Sequence, residues 1–133
     1  MELSKIMSDE YDVLKKLYAS LVDQNRYLIK REVFSLDKIV KVIESNSKSV
    51  AKCEIERRKI TGNRSMREVI RESEDENLGK LYEEIVDILE KIQFQKDTNE
   101  ALVKQWLGFT TQMLRAINPG RQPATYNALG RNR

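Results

Sequence analysis

The sequence has no histidine, one cysteine, two prolines and five glycines in 133 residues. Without histidine the usual general base, the commonest metal ligand and every Ser-His or Cys-His pair are missing, which argues against an enzyme. The lone Cys53 can close no internal disulfide and build no multi-thiolate metal site. The core must then come from apolar packing, and a reducing, cytoplasmic setting fits. So few glycines and prolines leave little material for turns, which disfavours a many-stranded sandwich or barrel and favours long regular elements. No stretch approaches the roughly 20 apolar residues of a membrane span. The start, Met1-Glu-Leu-Ser, shows neither the basic opening nor the apolar run of a signal peptide. One domain without membrane insertion is the expectation.

What is present is charge: 34% of residues are charged against 40% hydrophobic, with a net +3. The excess is local. Arg121, Arg131 and Arg133, in a tail with no acid, account for all of it and leave the body neutral. A short basic tail is a poor footprint for a phosphate backbone, so no nucleic-acid partner is expected. Arg57, Arg58, Lys59, Arg64, Arg67 and Arg71 cluster, but Glu54, Glu56, Glu68 and Glu72 balance them and no aromatic is interleaved to stack a base. Carboxylate runs such as Glu83-Glu84 and Glu74-Asp75-Glu76 lack companion ligands and read as solvated faces. No cofactor or metal is expected, and the absence of a glycine-rich phosphate loop argues against ATP.

Apolar residues recur at helical spacing in three series. Leu3, Met7, Leu14, Leu17, Leu21 and Leu28, flanked by Tyr11 and Tyr18, predict a helix over 3–34, ending where Ser35 can cap the next helix and Asp37 can meet its dipole. A heptad register at Leu36, Ile39, Ile43, Asn46, Val50, Cys53, Arg57 and Ile60 predicts a second helix over 36–60, folded back by the short connection. Asn46 there either fixes register or is a solvated place in a loose seam, and Cys53 is a small apolar filler. Thr61-Gly-Asn-Arg interrupts the pattern. Ser65-Met-Arg-Glu68 and Ser73-Glu-Asp-Glu76 each have capping-box spacing, so 61–76 reads as a helical connector. The third series holds through Leu78, Leu81, Ile85, Ile88, Ile92, Gln95, Asn99, Leu102, Trp106, Phe109, Met113 and Ala116, predicting a helix over 77–117 that Asn118-Pro-Gly ends. The fold class predicted is all-α, an antiparallel three-helix coiled-coil-like bundle over 1–117 with a long third helix, followed by a flexible C-terminal tail over 118–133.

At about 1.5 Å per residue the third helix measures about 60 Å and the second only about 37 Å, so the end of the third is expected to overhang. That end carries Leu102, Val103, Trp106, Leu107, Phe109, Met113, Leu114 and Ile117, a stripe wider than a two-helix seam requires. It is either core, covered by a bend or by the connector, or a groove for an amphipathic helix of another protein, with aromatic anchors and an adaptable methionine. Gln95 and Asn99 fall where the register wants apolar residues. They either set the register or hydrogen-bond the backbone of a bound chain.

Two helices in a hairpin, a connector, one long helix with Asn99 near its middle and a polar tail together resemble the flagellar type III export chaperones of the FlgN family. Asn99-Glu-Ala-Leu102 and, more specifically, Gln122-Pro-Ala-Thr-Tyr126-Asn-Ala-Leu-Gly130-Arg carry the likeness. The resemblance implies a cytoplasmic chaperone that holds the C-terminal helical region of the hook-associated proteins FlgK and FlgL and delivers them to the export apparatus. It also implies docking on the export gate protein FlhA through Tyr126, with Leu129 beside it. The cargo surface expected is Asn99, Leu102, Val103, Trp106, Phe109, Met113, Leu114 and Ile117. A homodimer is a further possible partner state, and the alternative is a structural coiled-coil protein that self-associates through the same stripe.

Overall fold

The computed structural model describes residues 2–118 and is all-helical over them: α1 (Glu2–Lys30), α2 (Val33–Thr61), α3 (Met66–Ser73) and α4 (Glu76–Ile117), with no strand among the described residues. The connector thus supplies a helix of its own, where three were expected. The chain divides into two compact units, Met1–Asn99 and Glu100–Arg133. The boundary lies inside α4, and the second unit has, among the described residues, one helical segment and no second helix to pack against it.

The first turn comes four residues before Ser35. Arg31 adopts a left-handed conformation (φ 57°), its N–H donates to the Leu28 carbonyl at 3.3 Å, and the Glu32 N–H donates to the Tyr27 carbonyl at 3.0 Å. This is the paired closure that satisfies orphan carbonyls at a helix end. It is usually built on glycine, so an arginine gives no signal in the sequence. Glu32 rather than Ser35 precedes α2, and it offers no side-chain cap. At the far end of α2 the signal is the ordinary one. Gly62 takes φ 62° and donates to the Arg58 carbonyl at 2.8 Å.

Ser65 caps α3 as its spacing predicts, its Oγ accepting from the Glu68 N–H at 3.2 Å. The second expected box is displaced. Asp75, not Ser73, caps α4, its Oδ1 accepting from the N–H of Asn77 at 3.0 Å and of Leu78 at 3.4 Å. Ser73 instead donates to the Ile70 carbonyl at 2.7 Å, closing α3. A carboxylate outcompetes a hydroxyl for the orphan amides at the positive end of a long helix.

Within Met1–Asn99 the core is built on α1. Leu3, Met7 and Leu14 pack with Leu78, Ile85 and Ile88 of α4, and Met66, Val69 and Ile70 of α3 lie against this cluster. Met7, Leu14 and Leu78 are the most completely buried side chains, each contributing about 2 kcal/mol of transfer free energy. Ser20–Asn46 and Glu10–Arg57, at increasing distance from the turn, show α2 returning antiparallel to α1. On the other side Tyr18 lies beside residues 87–94, and Leu21 beside Asn99, so this part of α4 runs in the direction of α1.

The α2 seam is looser than its heptads suggest. Only Ile39 and Thr61 of α2 are buried, and Ile60, expected inside, is exposed. Its two polar seam positions meet polar groups of α1. Asn46 donates to the Lys16 carbonyl at 3.3 Å and to Ser20 Oγ at 3.4 Å. Arg57 Nε donates to Glu10 Oε2 at 3.2 Å, where Glu10 is only 7% exposed.

Burial pushes the Glu10 carboxyl above its ordinary value, Arg57 pulls it down, and Glu54 raises it. The net shift is upward. A carboxyl whose folded pKa is raised stabilises the fold fully below its unfolded pKa, and that contribution is lost as pH rises through the folded value. Glu10→Gln is therefore expected to flatten the fall of stability with pH just above the ordinary carboxylate range, and at neutral pH to leave stability equal or higher. Arg57→Ala, which strands the buried carboxylate, is expected to cost about 2 kcal/mol. Urea unfolding at several pH values measures both effects.

Candidate functional site

The stretch from Leu102 to Ile117 is helical because it combines apolar residues at three- and four-residue steps with good helix formers and contains no proline. Its threonines do not break it. Thr110 and Thr111 turn their hydroxyls back onto the carbonyls of Trp106 and Leu107, each at 3.0 Å. Arg115 sits in the last turn, beside the negative end of the dipole.

Leu102 and Trp106 are half-buried, whereas Val103, Leu107, Phe109, Met113, Leu114 and Ile117 are exposed, Ile117 to 67%. The segment is about 22 Å long. A contiguous run of large apolar side chains over that length suits one face of a partner helix, since isolated exposed leucines are ordinary but a continuous patch is not. It holds no titratable cluster. Among the described residues no group of three His, Cys, Asp or Glu side chains is placed to hold a metal ion.

Asn99 differs from the rest of the expected cargo surface. It is 3% exposed and all its hydrogen-bonding capacity is used within the chain. Its Nδ2 donates to the Leu21 carbonyl at 2.8 Å and to Gln24 Oε1 at 2.9 Å. Its Oδ1 accepts from Asn25 Nδ2 at 3.1 Å and from Gln95 Nε2 at 3.0 Å. Two donors and two acceptor sites are the whole inventory of a carboxamide. Asn99 has nothing left for the backbone of a bound chain. Of the two readings open for Gln95 and Asn99, this geometry supports the register device, and the apolar run begins beyond it, with half-buried Leu102 and exposed Val103.

Sequence reasoning missed two things. The first is the partner set of Asn99. Continuing the α1 heptad places Glu10 and Gln24 at seam positions, and each meets a polar residue on a facing helix. The second is a group of exposed apolar side chains around the hairpin turn, Ile29, Val33 and Phe34, the last 87% exposed. They fall at the end of the helix that the periodicity predicts over 3–34.

Half of the basic cluster is ion-paired. Arg57 meets Glu10, Arg58 reaches Glu54 at 2.6 Å and Arg64 contacts Glu72. Burial and the carboxylates of Glu10, Glu56 and Asp9 hold the Cys53 thiol above its ordinary value, which suits an inert filler. No described helix is long and apolar enough to cross a membrane. Tyr126 and Leu129 lie outside the described residues.

Against models of protein families the chain matches one described as FlgN protein, over residues 1–133. No curated protein and no solved structure matches it.

Proposed function

The chain belongs to the FlgN family, and from that premise we propose that it is a cytoplasmic export chaperone. It binds the C-terminal helical region of the hook-associated proteins FlgK and FlgL and delivers them to the flagellar type III export apparatus. The observation that carries this reading is the run of apolar side chains from Leu102 to Ile117, exposed or half-buried at one end of a long helix.

Within residues 2–99, α2 runs antiparallel to α1 and the first part of α4 runs along α1. Leu102, Val103, Trp106, Phe109, Met113, Leu114 and Ile117 line the cargo surface, and Trp106 and Phe109 are its anchors. A cargo segment that folds as it binds gives up ordering entropy, which keeps the complex releasable at the export gate. No chemistry by the chain's own groups and no cofactor is required. Residues 118–133 act as the docking tail, with Tyr126 and Leu129 engaging FlhA.

Mixing the full chain with the isolated C-terminal segment of FlgK or FlgL, and weighing the product by light scattering on a sizing column, tests the reading. A stoichiometric complex is expected. Self-association of the chain with no uptake of the segment would instead identify a structural coiled-coil protein. Tyr126→Ala is expected to leave that complex intact while lowering secretion of the junction proteins from cells. Undiminished secretion overturns the docking role of Tyr126.

A further inference from the structure

Phe94 stands out of phase with the apolar series of α4. The inward-facing positions are Leu78, Leu81, Ile85, Ile88 and Ile92, whereas Phe94 is 74% exposed. It lies on the line of Glu83, Asp87, Glu90 and Asp97, all exposed and spaced by three, four or seven residues, so that they share one face of the helix. Across from this face α1 contributes Tyr18. Tyr18, Asp87, Glu90, Lys91 and Phe94 together line a shallow concavity of about 290 Å³ whose lining is mostly apolar. Asp87 and Glu90 make no ion pair among the described residues, and Lys91 is the one cation on the lining.

A bulky aromatic gains nothing for the fold from such a position, since it buries little area and displaces water-seeking side chains. It does offer a ring face to something from outside. Two aromatic rings with two unpaired carboxylates at their rim are matched by a long cationic side chain. Its methylene stem lies on the rings while its charge is drawn to both π-face and carboxylate. The acidic line extends on either side of the concavity over about 21 Å, enough for roughly four turns of a facing helix.

We propose that the α1–α4 groove centred on Tyr18 and Phe94 is a second docking surface, for a basic helix of another protein that inserts a lysine or arginine between Phe94 and the Asp87–Glu90 carboxylates. Charge complementarity argues for this occupant. An acidic or purely apolar helix would leave Asp87 and Glu90 facing like charge or desolvated without a partner. None of the residues of the proposed cargo surface takes part.

The full chain, isotope-labelled for NMR, is titrated with a synthetic amphipathic helix carrying lysine at i, i+4 and i+7, and with the same peptide carrying glutamate at those places. The lysine peptide is expected to shift the amides of Tyr18, Asp87, Glu90 and Phe94, and the glutamate peptide to leave them in place. The double change Asp87→Lys with Glu90→Lys is expected to weaken the lysine peptide about tenfold at low salt, with less effect at high salt. Phe94→Ala is expected to weaken it about fivefold. All three positions are exposed, so circular dichroism and capture of the FlgK segment should be unchanged. Failure of the lysine peptide to bind, equal binding of both peptides, or shifts falling elsewhere on the chain overturns the proposal. Concentration-dependent shifts at these residues without peptide overturn it too, assigning the face to a second copy. Failure of FlgK capture alone bears only on the cargo reading.

Discussion

Changing Trp106 and Phe109 together to alanine is expected to weaken capture of the FlgK or FlgL C-terminal segment by about a hundredfold or more, with helix content unaltered. Trp106 is half-buried and Phe109 exposed, on a segment that has, among the described residues, no second helix in its own unit. Their truncation therefore removes contact area from a partner rather than opening a cavity in a core. Aromatic anchors in the middle of an interface commonly cost 2 kcal/mol or more each on truncation, roughly thirtyfold, although such losses do not add fully. Isothermal titration with the cargo segment reads the affinity, and circular dichroism reads the fold. A cooperative loss of helicity in the free variant would show that the two rings are core and would return the stripe to the interior of the bundle.

Asn99→Ala is expected to do the reverse, costing about 3 kcal/mol of stability in the free chain. Removing the carboxamide breaks four hydrogen bonds at once and leaves the amides of Gln24, Asn25 and Gln95 without the partner they now share. Each polar group left unsatisfied in a buried place costs about 1–3 kcal/mol, and partial access to water for Gln24, Asn25 and Gln95 keeps the total toward the lower end. Urea unfolding measures the loss. A change below about 1 kcal/mol would mean that the clasp contributes little to the fold. Asn99 would then be free to serve a bound chain, the role its geometry now speaks against.

How the sequence foretold these features varies with their physical origin. Periodicity located the long helices because burial of one face is a property of many residues acting together. It marked Trp106 and Phe109, the proposed anchors, for the same reason, since both continue the register of Leu78 and Ile85. Turn positions depend on single residues, and there the reading slipped. Arg31 supplies a left-handed closure without glycine, so Ser35 looked like the better boundary. Asp75 took the cap of α4 from Ser73 by being charged.

The polar contacts within the first unit illustrate a different limit. Asn46 and Asn99 were legible as exceptions to an apolar register, but a single series cannot say what faces them. Ser20 and Gln24 on α1 supply the answers, and each is visible as a polar residue on or beside the α1 stripe once the alignment of the helices is known. Pairing polar exceptions between helices, rather than noting them one helix at a time, would have placed Glu10 against Arg57 and Gln24 against Asn99. Phe94 was overlooked because it fits no register.

The central claim is that the C-terminal stretch of α4, and not the interior of the helical unit before it, receives the secretion client. Hydrogen exchange of the full chain with and without a FlgK C-terminal segment tests this most directly, peptide by peptide along the sequence. Protection gained on binding is expected to fall on residues 102–117, with the core around Met7, Leu14 and Leu78 unchanged. Protection gained only within residues 2–99, with the stretch from Leu102 to Ile117 exchanging as before, would contradict the account.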